Sequence, residues 1–277
     1  KEILEIASTK YPNVNFILSD GGGKKAALKT GIGKAKFELI LCTDADCKPL
    51  TAQWIRKMVQ AGKGNDIILG YSPHQKNQGW LNRFIRFETT LTAIQYLSWA
   101  SAGRAYMAVG RNMLYPRKLF LQADPYKNHE TIPYGDDDLF VQAMAAKTQV
   151  RICDDPLAHV VTEPVTSWVD WWNQKHRHMS AAHHYQKSLW WQPGLYGISL
   201  VMHWILLLMF LFILPWWKWL PVFLIGLFIR WVTYMIWTNK LGEKDTIAWF
   251  PLLELQYAAY MTVMGFYTLF NKRKSWS

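Results

Sequence analysis

Two carboxylates, Asp44 and Asp46, stand one residue apart at the end of a mostly apolar run over residues 39–43. Such a run is typical of a buried strand in a parallel sheet. In an open α/β sheet, ligands bind outside the carboxyl ends of the strands. Two hard oxygen ligands at that place can hold Mg²⁺ or Mn²⁺, which in turn holds phosphate oxygens. An Asp-x-Asp pair also occurs as solvated loop acids or as a helix cap, so both interpretations stay open at this point.

A second acidic motif consists of the consecutive residues Asp136, Asp137 and Asp138, followed by apolar residues at helical spacing. One acid at a helix start caps the helix and gains from its dipole. Three adjacent acids repel one another unless a cation or a proton is bound there. A carboxylate in this position could deprotonate an attacking hydroxyl group, so the motif is a candidate for a general base.

Two glycine-containing segments could also contribute to a binding site. Lys24 follows the glycines at 21–23, but the Walker spacing and its Lys-Ser/Thr ending are absent. Lys24 could still contact a phosphate, although most lysines in such positions are solvated. The second segment is Gly110-Arg111-Asn112, which could be a plain hairpin turn or a loop on the acceptor side of a site.

The segments around these residues alternate between helical and strand patterns. Apolar spacing predicts helices over 1–11 and 24–36 and strands over 14–18, 39–43 and 66–71. This order predicts an α/β domain with a mostly parallel sheet. Because such a sheet would not normally begin on a helix, we expect about 30 or more residues to precede residue 1 in the natural protein.

The character of the sequence changes at Trp168. Aromatic and basic residues alternate over 168–185, as they do in a helix that lies at a membrane interface. Four histidines in this stretch could bind a metal, but no His-Glu-x-x-His pattern is present. Apolar runs over 195–214 and 219–238 are long enough to span a bilayer, while a third run over 247–270 could span it or lie on its surface.

Two charges in these runs and the basic tail bear on the membrane topology. Arg230 in the second run could extend to the interface, and Glu254 interrupts the third. With the catalytic part in the cytosol, three spans would place the basic residues 272–274 outside, whereas two spans would place them inside. The charge pattern therefore leaves the topology open.

The composition favours an anionic partner and excludes a disulfide-rich class. The 277 residues include 16 tryptophans and carry a formal net charge of +11, which favours nucleotide phosphates, anionic lipids or nucleic acid. The three cysteines form neither a disulfide framework nor a paired metal-ligand spacing.

Taken together, the motifs resemble those of inverting family-2 glycosyltransferases of the processive-synthase type. That group includes cellulose, hyaluronan and poly-N-acetylglucosamine synthases. Residues 24–49 match its Lys-x-x-Ala-Leu-x-x-Gly-Ile stretch and its Thr-Asp-Ala-Asp-Cys-x-Pro strand end. Residues 135–137 fall at its Gly-Asp-Asp motif and residues 174–177 at its Gln-x-x-Arg motif, and membrane helices follow.

The resemblance implies a fold and a location. We expect a GT-A-type, Rossmann-like catalytic domain over 1–165, an interface segment over 166–192 and transmembrane helices over 195–270. The protein would be an integral protein of a bacterial-type plasma membrane, with its catalytic domain in the cytoplasm. It would be a hexosyltransferase that contributes to a cell-envelope polysaccharide. The family's first strand and its nucleotide-binding aspartate would precede residue 1, so we expect this chain to bind donor poorly without them.

The resemblance also implies roles at the donor side. Asp44 would contact the nucleotide, and Asp46 with Asp44 would hold Mg²⁺ or Mn²⁺ at the diphosphate of a UDP-sugar. Lys24 and Gln174 would bind the donor, and Arg177 would stabilise the departing diphosphate.

On the acceptor side, the resemblance makes Asp137 the general base, while another alignment gives that role to Asp136. Gly110 and Asn112 would face the acceptor, which is a lipid or a glycan. His178 stands where the family has a tryptophan that stacks on the acceptor sugar. Growth of a long polymer and a single transfer to a lipid-linked acceptor therefore both stay open.

Two other classes of protein compete with this interpretation. A membrane-anchored protein that binds nucleic acid or anionic lipid would explain the charge of +11. It would leave the acidic motifs unexplained, because acidic clusters repel phosphate without a metal, and we expect no nucleic-acid partner. A transporter subunit would need ionisable residues inside its spans, where only Arg230 and Glu254 qualify.

Overall fold

A computed structural model describes residues 2–19, 21–123, 135–181, 185–189 and 191–271. Its first part alternates helices and strands, and its last part is helical. The helices of the first part are α1 (Glu2–Lys10), α2 (Lys24–Lys34), α3 (Trp54–Gln60), α4 (Trp80–Ser101), α5 (Arg117–Ala123) and α6 (Asp138–Met144). The strands are β1 (Leu39–Cys42), β2 (Cys47–Pro49), β3 (Ile67–Gly70), β4 (Met113–Pro116), β5 (Val150–Cys153) and β6 (Val160–Thr162). The last part contains α7 (Trp168–Ala181), α8 (Trp191–Ile213), α9 (Trp216–Leu241) and α10 (Phe250–Phe270).

The main sheet is mixed, and the expectation of a mostly parallel sheet needs correction. Its strand order is β1-β4-β3-β5. Strands β1, β3 and β5 run in one direction, but β4 lies between β1 and β3 and is antiparallel to both. The short 3₁₀ turn Gly110–Asn112 precedes β4, and β4 pairs with β1 and β3 rather than with the segment just before the turn. The predicted strand over 14–18 does not form either.

The strand that precedes the Asp-x-Asp motif is less buried than its sequence predicted. Strand β1 lies at the edge of the described sheet, and all four of its residues are half-buried. Strand β3, which lies between two neighbours, is fully buried. A second, two-stranded sheet pairs β2 with β6, so the chain just after Asp46 is fixed to residues far along the sequence.

Helix α4 belongs to two hydrophobic cores. Its second half, with Tyr96 and Leu97, packs on the sheet against residues such as Ile67. Its first half, with Phe84 and Phe87, packs against aromatic residues of α7, α9 and α10. The sheet and the C-terminal helices therefore share α4, although the sequence boundary at residue 165 suggested two separate units.

Polar contacts reinforce this connection. The Arg86 guanidinium of α4 donates to Asp245 at 2.6 and 2.9 Å and also to Glu243, just after α9. The Arg86 and Glu243 side chains are 4% and 5% exposed. The Trp80 indole N–H donates to Gln256 of α10 over 2.6 Å. A charged cluster that excludes water is sensitive to the loss of one member, because the remaining charges stay buried.

We expect Arg86→Met to lower the free energy of unfolding by about 3–5 kcal/mol, because it leaves Glu243 buried without its cation. Chemical denaturation in detergent measures the loss. Lys76→Met is the matched control: Lys76 pairs with the same Asp245 at 3.1 Å but is 65% exposed. That pair should contribute less than about 1 kcal/mol. Equal losses in the two variants would contradict the assignment of stability to the buried cluster.

Of the described helices, α8 and α9 are long and apolar enough to cross a membrane. They contain the two apolar runs that the sequence predicted as spans. Most of their residues face outward, including large ones such as Phe212 and Phe228. Helix α10 instead buries Leu253, Glu254 and Met264 completely.

Arg230 does not extend to an interface but pairs with a neighbouring helix. Its guanidinium donates to the two carboxylate oxygens of Glu254 at 2.6 and 3.0 Å, and it lies 2.9 Å from His203 Nε2. These three side chains join α9 to α10 and α8. The two ionisable residues of the apolar runs therefore neutralise each other.

Candidate active site

The site is organised around a lysine that bridges two acidic motifs. Lys24 Nζ lies 3.1 Å from Asp44 Oδ1 and 3.2 Å from Asp136 Oδ2. The positive φ of Gly23 (+87°), which glycine tolerates, brings the chain into α2 so that Lys24 is its first residue. Burial opposes the charge of Lys24, but the surrounding carboxylates raise the pKa of Lys24 above its ordinary value. The structure therefore brings together three residues that the sequence had singled out separately.

The second feature is a group of possible metal ligands just after β1, formed by Asp44, Asp46 and Cys47, which we call the metal corner. Oxygen atoms of Asp44 and Asp46 and the Cys47 sulfur lie within 4.8 Å of one another. Asp46 is exposed and Asp44 half-buried, so an ion could reach both. Burial raises the pKa of the Cys47 thiol, which keeps it protonated and a poor ligand. Two carboxylates fit a hard divalent ion such as Mg²⁺ or Mn²⁺.

The three consecutive acids before α6 repel one another, and each is stabilised by different partners. Asp136 pairs with Lys24. Asp137 accepts backbone N–H groups from Gly110 at 2.8 Å and from Asp138 at 3.0 Å. Asp138 accepts from the Ala108 backbone N–H at 3.1 Å and from the Tyr185 hydroxyl.

Asp137 has the properties of a general base. Burial and the neighbouring charge of Asp136 raise the pKa of Asp137 to about 6, against the lowering effects of Lys24 and two backbone N–H groups. A base of this pKa is ionised at neutral pH and still accepts a proton readily. Asp136, which is tied to Lys24, is less free to do so. Of the two alternatives from the sequence, the geometry favours Asp137.

Asn112 is a structural residue in this fold, which corrects its expected acceptor contact. Its side chain has no exposed surface. It donates to the carbonyl oxygens of Tyr71 (2.7 Å) and Ala158 (2.9 Å) and accepts from the Trp54 indole (2.9 Å). With its amide engaged in this way, Asn112 joins three segments and is not available to a substrate. Gly110 contributes through its backbone instead.

Helix α7 carries the remaining predicted residues. Gln174 and Arg177 are half-buried and His178 is exposed. The helix is held by a buried ion pair between Lys175 and Glu88 of α4. The charges of Arg111, Arg177 and Lys24 are close enough to act on the His178 imidazole, so this end of α7 lies on the side of the acidic motifs.

Two residues of the site lay in segments that the sequence singled out but were given no role of their own. Tyr185, which donates to Asp138, belongs to the aromatic and basic stretch over 168–185. Arg111 lies in the turn whose neighbours were singled out, and its guanidinium is held by Ser72. An arginine directly after the glycine of that turn was the one clue that could have identified it.

The comparison with known families agrees with this geometry. The model for "Glycosyl transferase family group 2" matches residues 39–266. The chain belongs to this family. The match covers most of the chain and includes both acidic motifs, α7 and the apolar helices. No curated protein matches it.

Membership of glycosyl transferase family group 2 confirms the family-2 resemblance. It supports glycosyl transfer as the activity, with a nucleotide-sugar donor and an acceptor, and it implies a GT-A fold. The mixed sheet with helices on its faces is the described part of that fold. The competing class of a non-catalytic binding protein has no comparable support.

Proposed function

We propose that this family-2 glycosyltransferase is a metal-dependent, inverting enzyme of the membrane. It would transfer a hexose from a UDP-sugar to a lipid or glycan acceptor in the synthesis of a cell-envelope polysaccharide. The observation that carries the proposal is the bridge by Lys24 between Asp44 and Asp136. It joins the candidate metal corner to Asp136, the neighbour of the candidate base Asp137, so that the two acidic motifs lie in one site.

On the donor side, Asp46 and Asp44 would hold Mg²⁺ or Mn²⁺. The ion would neutralise the diphosphate and stabilise the charge that grows on it as it leaves. Lys24 would add a second positive charge beside the ion. Gln174 and Arg177 of α7 would close over the donor, with Arg177 contacting the departing diphosphate.

On the acceptor side, Asp137 would take the proton from the attacking hydroxyl group. The Gly110 N–H donates to one oxygen of Asp137, which would hold the carboxylate in a fixed orientation for this step. A single displacement, with the base on one side and the diphosphate leaving on the other, inverts the anomeric configuration. His178, exposed at the same end of the site, would face the acceptor.

The membrane arrangement that the structure favours has two spans, α8 and α9. Both begin or end close to the catalytic part: Gln192 of α8 donates to the Arg104 carbonyl, and Glu243 after α9 pairs with Arg86. Helix α10 packs against α4 and α7 as well as against α8 and α9, and in this arrangement it would lie at the interface. This topology puts the basic tail on the cytoplasmic side with the catalytic part, as the positive-inside tendency favours.

A panel of nucleotide sugars tests the proposal. The full-length protein in detergent or native membranes would be supplied with each donor and Mg²⁺ or Mn²⁺, and nucleoside-diphosphate release would be followed. We expect release from one donor, its loss on chelation and its recovery when excess metal is returned. No release from any donor, or release that chelator leaves unchanged, would overturn the metal-dependent transferase.

A further inference from the structure

The guanidinium of Arg111 is fixed in the site without a carboxylate partner. Arg111 Nε donates to Ser72 Oγ over 2.6 Å, and Nη2 donates to the Ser72 carbonyl over 3.3 Å. The Ser72 hydroxyl in turn donates to the Val160 carbonyl, so the support is itself fixed. Arg111 is half-buried, and none of the described carboxylates forms an ion pair with it. A half-buried guanidinium has five N–H donors and keeps some of them available to an anion when Ser72 takes only two.

Arg111 is close to both the candidate base and the metal corner, since its charge acts on the Cys47 thiol of that corner. It directly follows Gly110, whose N–H donates to Asp137. Its anchor, Ser72, begins a segment that lies against β6, where Thr162 N–H donates to the Pro73 carbonyl. Thr162 is also paired with Cys47 of the metal corner. Two strand spacings, about 10 Å, therefore separate the Ser72 segment from that corner.

The neighbouring groups do not neutralise Arg111. His74, on the same segment, is 9% exposed, and its Nδ1 has no hydrogen-bond partner among the described residues. Burial, with the charges of Arg111 and Lys175, lowers the pKa of His74 to about 3, so this imidazole is neutral. Lys175 is balanced by Glu88, and Lys24 by Asp44 and Asp136. Among the described residues, no ion pair balances the charge of Arg111.

We propose that Arg111 binds a phosphate group of a substrate, with Ser72 holding the guanidinium in place. A guanidinium offers parallel N–H groups that match two oxygens of one phosphate. The phosphate has two possible sources: the diphosphate of the donor, or a phosphate carried by a lipid acceptor. The inference rests on the proposed function and adds to it a contact outside the metal corner and α7.

Binding measurements with two probes separate the sources. Calorimetry on the full-length protein in detergent would use UDP with Mn²⁺ for the donor and decyl phosphate for a lipid phosphate, with decyl glucoside as the uncharged comparison. We expect Arg111→Gln to weaken binding of one phosphate probe by about 10- to 100-fold, the usual effect of losing a charge-assisted pair. Weaker UDP binding identifies the donor, and weaker decyl phosphate binding identifies the acceptor.

Two further variants keep the inference falsifiable. Arg111→Lys keeps the positive charge but lacks the parallel N–H groups of a guanidinium, so it should lose less affinity than Arg111→Gln. It also provides the test if Arg111→Gln folds poorly. Arg56→Gln, at an exposed arginine of α3, should stay within twofold of the wild type for both probes. The inference is overturned if Arg111→Gln and Arg111→Lys bind both probes within twofold of the wild type, or if the wild type binds neither.

Failure of this inference can be told apart from failure of the proposed function. Metal-dependent release of nucleoside diphosphate together with unchanged probe binding in the Arg111 variants would remove the phosphate contact alone. Absence of release from every donor would remove the transferase proposal itself.

Discussion

Asp137→Asn should lower kcat by about 10²- to 10⁴-fold while leaving the protein folded, because general bases contribute about that much. Asparagine keeps the shape of the side chain and can still accept from the Gly110 N–H. It cannot take up a proton. Nucleoside-diphosphate release under saturating donor measures the loss, and the thermal unfolding midpoint checks the fold.

The pH dependence of kcat/KM in the wild type should also show the ionisation of Asp137. Since the pKa of Asp137 is raised to about 6 and the base acts in its ionised form, kcat/KM should be level above that pH. It should fall about tenfold per pH unit below it. The acid limb should disappear in Asp137→Asn.

Two other variants define how this prediction could fail. Asp170→Asn, an exposed acid on α7 that pairs with Ser167, should stay within about twofold of the wild type. Asp136→Asn should mainly raise KM for the donor, because it releases Lys24. If Asp136→Asn removes the acid limb and Asp137→Asn keeps it, the base is Asp136.

Asp46→Ala should lower metal-dependent turnover by about 10²-fold or more, because an ion at the diphosphate is worth several kcal/mol in the transition state. It should also weaken Mn²⁺ binding, which electron paramagnetic resonance measures without any turnover. Cys47→Ser is the matched change in the same corner. Because the protonated thiol is a poor ligand for a hard ion, that variant should lose less than about tenfold.

Retention of Mn²⁺ binding in Asp46→Ala would contradict the assignment of the corner. A larger loss in Cys47→Ser than in Asp46→Ala would indicate a softer ion held through sulfur. Both outcomes are visible in the resonance spectrum before activity is considered.

Local patterns in the sequence predicted the residues of the site better than their arrangement. The Asp-x-Asp motif, the acids at 136–138 and the Gln-x-x-Arg motif are short and carry their chemistry in neighbouring residues. Hydrophobic length alone located the helices α8 and α9. The family match then confirmed the membership of glycosyltransferase family 2 that these motifs had suggested.

The contacts between distant segments could not be predicted in this way. The contact between Lys24 and Asp136 joins residues far apart in the chain, and no local spacing encodes it. The insertion of β4 between β1 and β3 is likewise a matter of tertiary packing, since a short apolar strand suits either direction. Asn112 is polar and stands in a turn, which suggested exposure, yet three long-range hydrogen bonds bury it.

Because α4 belongs to two hydrophobic cores, its position limits where the protein can be cut into fragments that fold by themselves. A soluble fragment that ended near residue 165 would expose Phe84 and Phe87 and would strip Arg86 and Glu88 of their buried counter-charges. Such a fragment should aggregate rather than fold as an autonomous unit. Exchange of the helices α7–α10 between relatives would meet the same obstacle unless α4 were exchanged with them. The sheet and the C-terminal helices are thus coupled through one shared helix.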